Sequence, residues 1–161
     1  MVTAASMWSD WLKFVPGWLA FLATVATWVQ NARARKHSLA IGPDHNELRQ
    51  VLTTAREQFD ELGKEEPRRS EWFDAEVRRG LSTALDDQAA RRGDETLKDY
   101  IRVVARTWEV AHMYGRQLSD PQKLEGEKWG IERHQLNLSH QGWYWARLAL
   151  ERLAELERRM R

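Results

Sequence analysis

The sequence predicts an all-α protein in two parts, one N-terminal transmembrane helix followed by a cytoplasmic bundle of about four amphipathic helices. Three observations carry this expectation. Residues 14–32 hold no charged side chain. From residue 44 onward, apolar residues recur every three or four positions with almost no strand-like alternation. Gly, Pro and Asp punctuate that pattern where helices would stop and start. Whole-chain averages conceal the division, because 25 Lys and Arg against 24 Asp and Glu, with a mean hydropathy of -0.68, describe an ordinary soluble domain. The absence of Cys excludes disulfides, thiolate metal sites and thiol catalysis.

Four regions follow: residues 1–13 as a short extracytoplasmic N-terminus, 14–32 as the span, 33–43 as a basic juxtamembrane linker, and 44–161 as a cytoplasmic helical domain. As a helix the uncharged segment would extend about 28 Å, close to the ~30 Å of a bilayer's hydrocarbon. Pro16 and Gly17 fall in its first turn, where a missing N–H costs little. Trp11 and Trp28 suit the two membrane interfaces. Lys13 alone precedes the segment, whereas Arg33, Arg35 and Lys36 follow it, so the positive-inside rule predicts a single-pass protein of the inner (cytoplasmic) membrane with its C-terminal domain in the cytoplasm. The same three cations suit anionic lipid headgroups, at about 1 kcal/mol each. Gly17, Ala20, Thr24 and Thr27 form a stripe of small residues, a candidate seam for association with another membrane helix. The preponderance of Arg over Lys is compatible with a GC-rich bacterial source.

Beyond a linker at 37–43, Asp44 and Glu47 have capping-box spacing, and Leu48, Val51, Leu52, Ala55, Phe59 and Leu62 share one face up to Gly63. Pro67 opens a second helix with Trp72, Phe73, Val77, Leu81, Ala84, Leu85 and Gln88 on its face, weakened at Gly80 and ending at Gly93. Asp94 caps a third, carrying Leu97, Ile101, Val104, Trp108 and Ala111. Residues 119–138 read as an irregular connection broken by Gly126 and Gly130. Asn137 or Ser139 then caps a last helix, with Ala149, Leu153, Leu156 and Met160, or Ala146, Leu150 and Leu153, toward the core. Short links between the first three helices favour antiparallel neighbours.

Few residues suggest chemistry. Glu109 and His112 stand three apart, as bundle metal ligands do, but a single Glu-x-x-His is what chance supplies, and no second copy exists. No phosphate-loop, dinucleotide or nucleophile-elbow motif occurs, and no cofactor is implied. The Arg pairs at 68–69, 78–79, 91–92 and 158–159 are largely interleaved with carboxylates, which reads as solvated helix faces rather than a nucleic-acid surface. Nine Trp are unusual. The membrane segment and helix cores absorb most of them, leaving Trp129, Trp143 and Trp145, with Tyr144, as a candidate partner surface or as the fastening of the 119–138 connection. The leading expectation is a non-enzymatic, membrane-tethered adaptor, scaffold or regulatory subunit whose partners are membrane lipid and a protein, either another copy in a homo-oligomer or a different chain. The alternative is a helical enzyme or metal-dependent protein built around Glu109 and His112.

Overall fold

The computed structural model describes residues 27–29, 32, 44–64 and 67–160. The chain divides into two compact units, Met1–Ser38 and Leu39–Arg161. In the first unit, Thr27, Trp28, Val29 and Ala32 are helical and Trp28 is exposed. The rest of the expected span, with Trp11, Arg33, Arg35, Lys36 and the seam residues Gly17, Ala20 and Thr24, lies outside the described residues. No helix among the described residues is long and apolar enough to cross a membrane.

The second unit contains α1 (His45–Leu62), α2 (Ser70–Phe73), α3 (Glu76–Arg79), α4 (Leu81–Ala90), α5 (Glu95–Leu118) and α6 (Glu125–Arg158), and no strand occurs among the described residues. Helix directions follow from cross-contacts. Arg49 near the start of α1 pairs with Glu157 near the end of α6, whereas Phe59 meets Gly142, so α1 and α6 run antiparallel. The rings of Tyr100 and Trp145, and of Tyr114 and His134, give α5 the same relation to α6. Arg91 beyond α4 returns to Asp44 before α1, which makes α4 antiparallel to α1. The result is an up-down-up-down bundle of α1, α4, α5 and α6.

Its core comprises Leu48, Leu52, Ala55, Phe59 and Leu62 of α1, Leu81, Leu85 and Ala89 of α4, Leu97, Ile101, Val104, Ala105, Trp108 and Ala111 of α5, and Ala146, Ala149, Leu153 and Leu156 of α6. These are largely the faces predicted from periodicity. Met160 remains exposed and Leu150 half-buried, because the face shared by Ala146, Ala149, Leu153 and Leu156 is the one turned to α1 and α5.

Three local expectations are corrected. The second predicted helix is divided into α2, α3 and α4, and Val77 points to solvent. Trp72 and Phe73, both in the short α2, pack round Trp108. Side chains satisfy the carbonyls freed at the breaks: Arg78 Nη1 donates to Trp72 O at 2.9 Å, Arg79 Nη2 to Asp74 O at 2.8 Å, and Trp108 Nε1 to Arg78 O at 3.2 Å. Arg78 also reaches Gln58 Oε1 at 2.6 Å and Glu61 Oε2 at 3.0 Å, so one member of an arginine pair fastens this segment to α1.

Asp44 precedes α1 without capping it through its side chain, which instead lies 3.4 Å from Arg91. Finally, 119–138 is not an irregular connection. Only residues 119–124 link α5 to α6, and α6 continues through Gly126, Gly130, Asn137 and Ser139. Two glycines cost about 1 kcal/mol each in a helix. Burial of Ile131, Gln135 and Ser139 on one face offsets that cost, as do Glu125 and Glu127 in the first turn beside the positive end of the helix dipole.

Asp94 performs its predicted role and a second one. Its Oδ1 accepts from Leu97 N at 2.8 Å, while Arg152 Nη2 and Nε donate to Oδ2 and Oδ1 at 2.7 and 3.2 Å, clamping the start of α5 to α6. The Arg152 hydrogen bond holds the Asp94 carboxyl below the usual carboxylate range, against the opposing effect of burial. A depressed folded-state pKa adds stability above the unfolded value and loses it as pH falls through the folded one. Asp94→Ala is therefore expected to lower stability by about 2 kcal/mol at pH 7, with the difference from wild type shrinking below about pH 4. Urea unfolding followed by far-UV circular dichroism at pH 7 and pH 3 checks both parts.

Candidate partner-binding surface

Helix lengths create the surface. At ~1.5 Å per residue α6 is about 51 Å long and α1 only about 27 Å. Gly63, just past α1, lies against Ser139, so the part of α6 before Ser139 continues beyond the end of α1. There it is held by residues 67–69, which precede α2. Arg68 N donates to Gln135 Oε1 at 2.8 Å and Gln135 Nε2 donates back to Arg68 O at 2.8 Å, pairing a buried amide with backbone as a strand would.

The inward stripe of this region is Ile131, Gln135, Ser139 and Gly142. On the solvent side stand Trp129, 62% exposed, Leu136 at 43%, Trp143 at 36% and Tyr144 at 49%. Arg133 lies 5.4 Å from the Trp129 ring centroid and Arg147 5.9 Å from that of Trp143, each one turn along the helix. A hydrogen bond from Arg147 to Glu151 raises the already high pKa of that guanidinium. Two shallow concavities flank the row. One of about 420 Å³ is lined by Leu62, Gly63, Pro67, Trp129, Arg133 and Leu136. The other, about 370 Å³, is lined by Phe59, Gly63, Ser139, His140, Trp143 and Tyr144. Gly63 lines both, and its missing Cβ lets the end of α1 approach Ser139 closely between them.

Of the four residues predicted for a partner surface, Trp129, Trp143 and Tyr144 are exposed and Trp145 is half-buried, its ring 5.5 Å from Tyr100 and packed against the core. Trp129 and Trp143 do not form one cluster. They share a helix face fourteen positions apart, about 21 Å. Leu136 and His140 fill the interval, and neither was marked in advance, because the last helix was expected to begin only at Asn137 or Ser139, leaving Trp129 and Leu136 in an irregular connection. Their signal was the four- and three-residue spacing 129, 133, 136, 140, 143, 147.

Glu109 and His112 lie on α5 away from this face. Glu109 is exposed, while the His112 ring stacks on Phe73 with centroids 5.0 Å apart. Burial lowers the His112 pKa, Arg116 adds to that, and Asp74 opposes it. Among the described residues no group of three His, Asp or Glu is placed to hold a metal ion. Buried Arg92, by contrast, donates back to Gln88 within its own turn, and burial lowers its pKa. No family model, curated protein or solved structure matches the chain.

Proposed function

We propose that this protein is a membrane-tethered helical adaptor or regulatory subunit that offers a protein-binding surface at the inner face of the membrane. The observation that supports it is the row of exposed Trp129, Leu136, Trp143 and Tyr144 on α6, with Arg133 and Arg147 against the indoles. Trp, Tyr and Arg are the side chains that dominate binding hot spots, and a row of them next to a groove is where a partner helix gains most from desolvation. The tether is the uncharged segment 14–32, with Arg33, Arg35 and Lys36 on its cytoplasmic side and membrane lipid as their partner. Tethering confines the surface to a thin layer and raises its effective concentration without new contacts.

Two measurements test the two halves. Full-length protein should stay in the membrane pellet after an alkaline carbonate wash, and its release as intact chain would remove the tether. Trp129→Ala with Trp143→Ala should weaken partner binding at least about tenfold while changing unfolding stability by less than about 1 kcal/mol, as exposed hot-spot residues do. Unchanged binding by the folded double variant would overturn the surface.

A further inference from the structure

We infer that the partner seated on this surface is a second copy of the same chain, its α6 lying antiparallel about a two-fold axis at Leu136. This rests on the reading of the α6 face as a protein-binding surface and specifies its occupant. The carrying observation is the order of residues along one face: Glu125, Trp129, Glu132, Leu136, His140, Trp143 and Arg147, at spacings of four, three, four, four, three and four. Glu125, Leu136 and Arg147 are separated by eleven positions, and an eleven-residue repeat at about 3.67 residues per turn stays almost straight along an α-helix. Six of the seven are exposed and Glu132 is half-buried. The spacing reads the same from either end, and the chemistry does not. Carboxylates occupy the first half, and an imidazole and a guanidinium the second.

A two-fold axis at Leu136 turns that asymmetry into complementarity. Glu125 comes opposite the partner's Arg147, Glu132 opposite the partner's His140, and Trp129 opposite the partner's Trp143, while Leu136 meets its own counterpart. Lys128 falls beside the partner's Tyr144, and Arg133, whose opposite position is the inward-facing Ser139, falls nearest the partner's Leu136 and the partner's His140, so no carboxylate is set against a carboxylate and no guanidinium against a guanidinium. Two alternative arrangements lack this property. Parallel pairing sets Glu125, Glu132 and Arg147 each against itself, and an antiparallel axis at His140 sets Arg133 against Arg147 and Glu125 against Glu155. Like-charge juxtaposition disfavours both. The matched segment is about 33 Å long. Two indoles and a phenol per copy, exposed by 62, 36 and 49%, supply roughly 200–370 Å² of the roughly 800 Å² per partner that a stable interface buries, and Leu136 with the flanking polar side chains would make up the rest.

Because the chain has no Cys, single introduced thiols report the pairing directly in the full-length protein, in membranes or mild detergent. Leu136→Cys should oxidise to a covalent dimer, since helices packed 8–10 Å apart bring equivalent residues on a two-fold axis within disulfide reach. Trp129→Cys co-expressed with Trp143→Cys should crosslink about tenfold faster than either alone, and Glu109→Cys on α5 should stay monomeric. Glu125→Arg or Arg147→Glu should each weaken dimerisation about tenfold, and the two together should restore it. Efficient crosslinking of Trp129→Cys with itself would replace this arrangement by a parallel one, and no crosslinking above the Glu109→Cys control would overturn it. In the latter case, attaching a bulky maleimide at Leu136→Cys separates the two readings. Loss of binding to a different protein would leave α6 a binding surface with another occupant, and no effect on any binding would remove both.

Discussion

Gly142→Ala should destabilise the bundle by about 3 kcal/mol, although the same change in an ordinary exposed helix stabilises by about 1 kcal/mol. A Cβ at Gly142 would fall inside van der Waals contact with Cδ1, Cε1 and Cζ of Phe59. Phe59 is completely buried, and its ring meets Trp108 edge-on with centroids 5.2 Å apart. The added methyl must therefore separate α1 from α6 or force Phe59 off its rotamer, and a close-packed interior tolerates neither cheaply. Gly126 and Gly130, on the same helix, have no atom within 4 Å of an added Cβ. Alanine there should raise stability by about 0.5–1 kcal/mol at each position. Urea midpoints by far-UV circular dichroism for the three variants decide the matter. Gly142→Ala at or above wild-type stability would mean that α1 and α6 are not in this contact.

Trp108→Ala should cost about 4 kcal/mol, the upper range for large core aromatics. Its indole lies 5.2 Å from Phe59, 5.4 Å from Phe73 and 5.9 Å from Trp72 by ring centroids, so it joins α1, α2 and α5. Its Nε1 also donates to the Arg78 carbonyl at the end of α3. Trp108→Phe keeps an aromatic body but not that donor, leaving the carbonyl without its partner, and should cost about 1.5 kcal/mol. Equal losses in the two variants would show that the hydrogen bond rather than the ring cluster is what matters at this position.

These two residues also show how unevenly the fold can be read from the chain. Trp108 was predicted as core because it lies on the same face as Leu97, Ile101, Val104 and Ala111, and a spacing of three and four is a local property of one helix. Asp94 was legible for the same reason, since a cap needs only the three residues after it. Its bond to Arg152 was not, because that partner lies 58 positions away. Gly142 carried no signal. A helical glycine normally reads as a weakness, and its use here depends on which ring of another helix stands against it. Gly126 and Gly130 were read as breaks by that local logic, and packing of Ile131 and Gln135 reversed it.

The candidate surface divides in the same way. Trp129, Trp143 and Tyr144 were marked by being more aromatic residues than one core accommodates. Their common row with Leu136 and His140 emerged only once α6 was continuous. Trp145, their neighbour in sequence, was removed from the row by Tyr100.

By itself the sequence determined the helical class, most buried faces and the charge asymmetry along residues 125–147, because each depends on a period of about 3.6 residues or on the order of side chains within a single helix. Tertiary structure alone decided where the 67–93 stretch bends, that α6 runs unbroken from Glu125 to Arg158, and that its solvent face extends past the shorter α1. The physical reason is that penalties for glycine or for freed carbonyls are local and amount to about 1 kcal/mol each, whereas burial against other helices is larger and comes from residues distant in the chain.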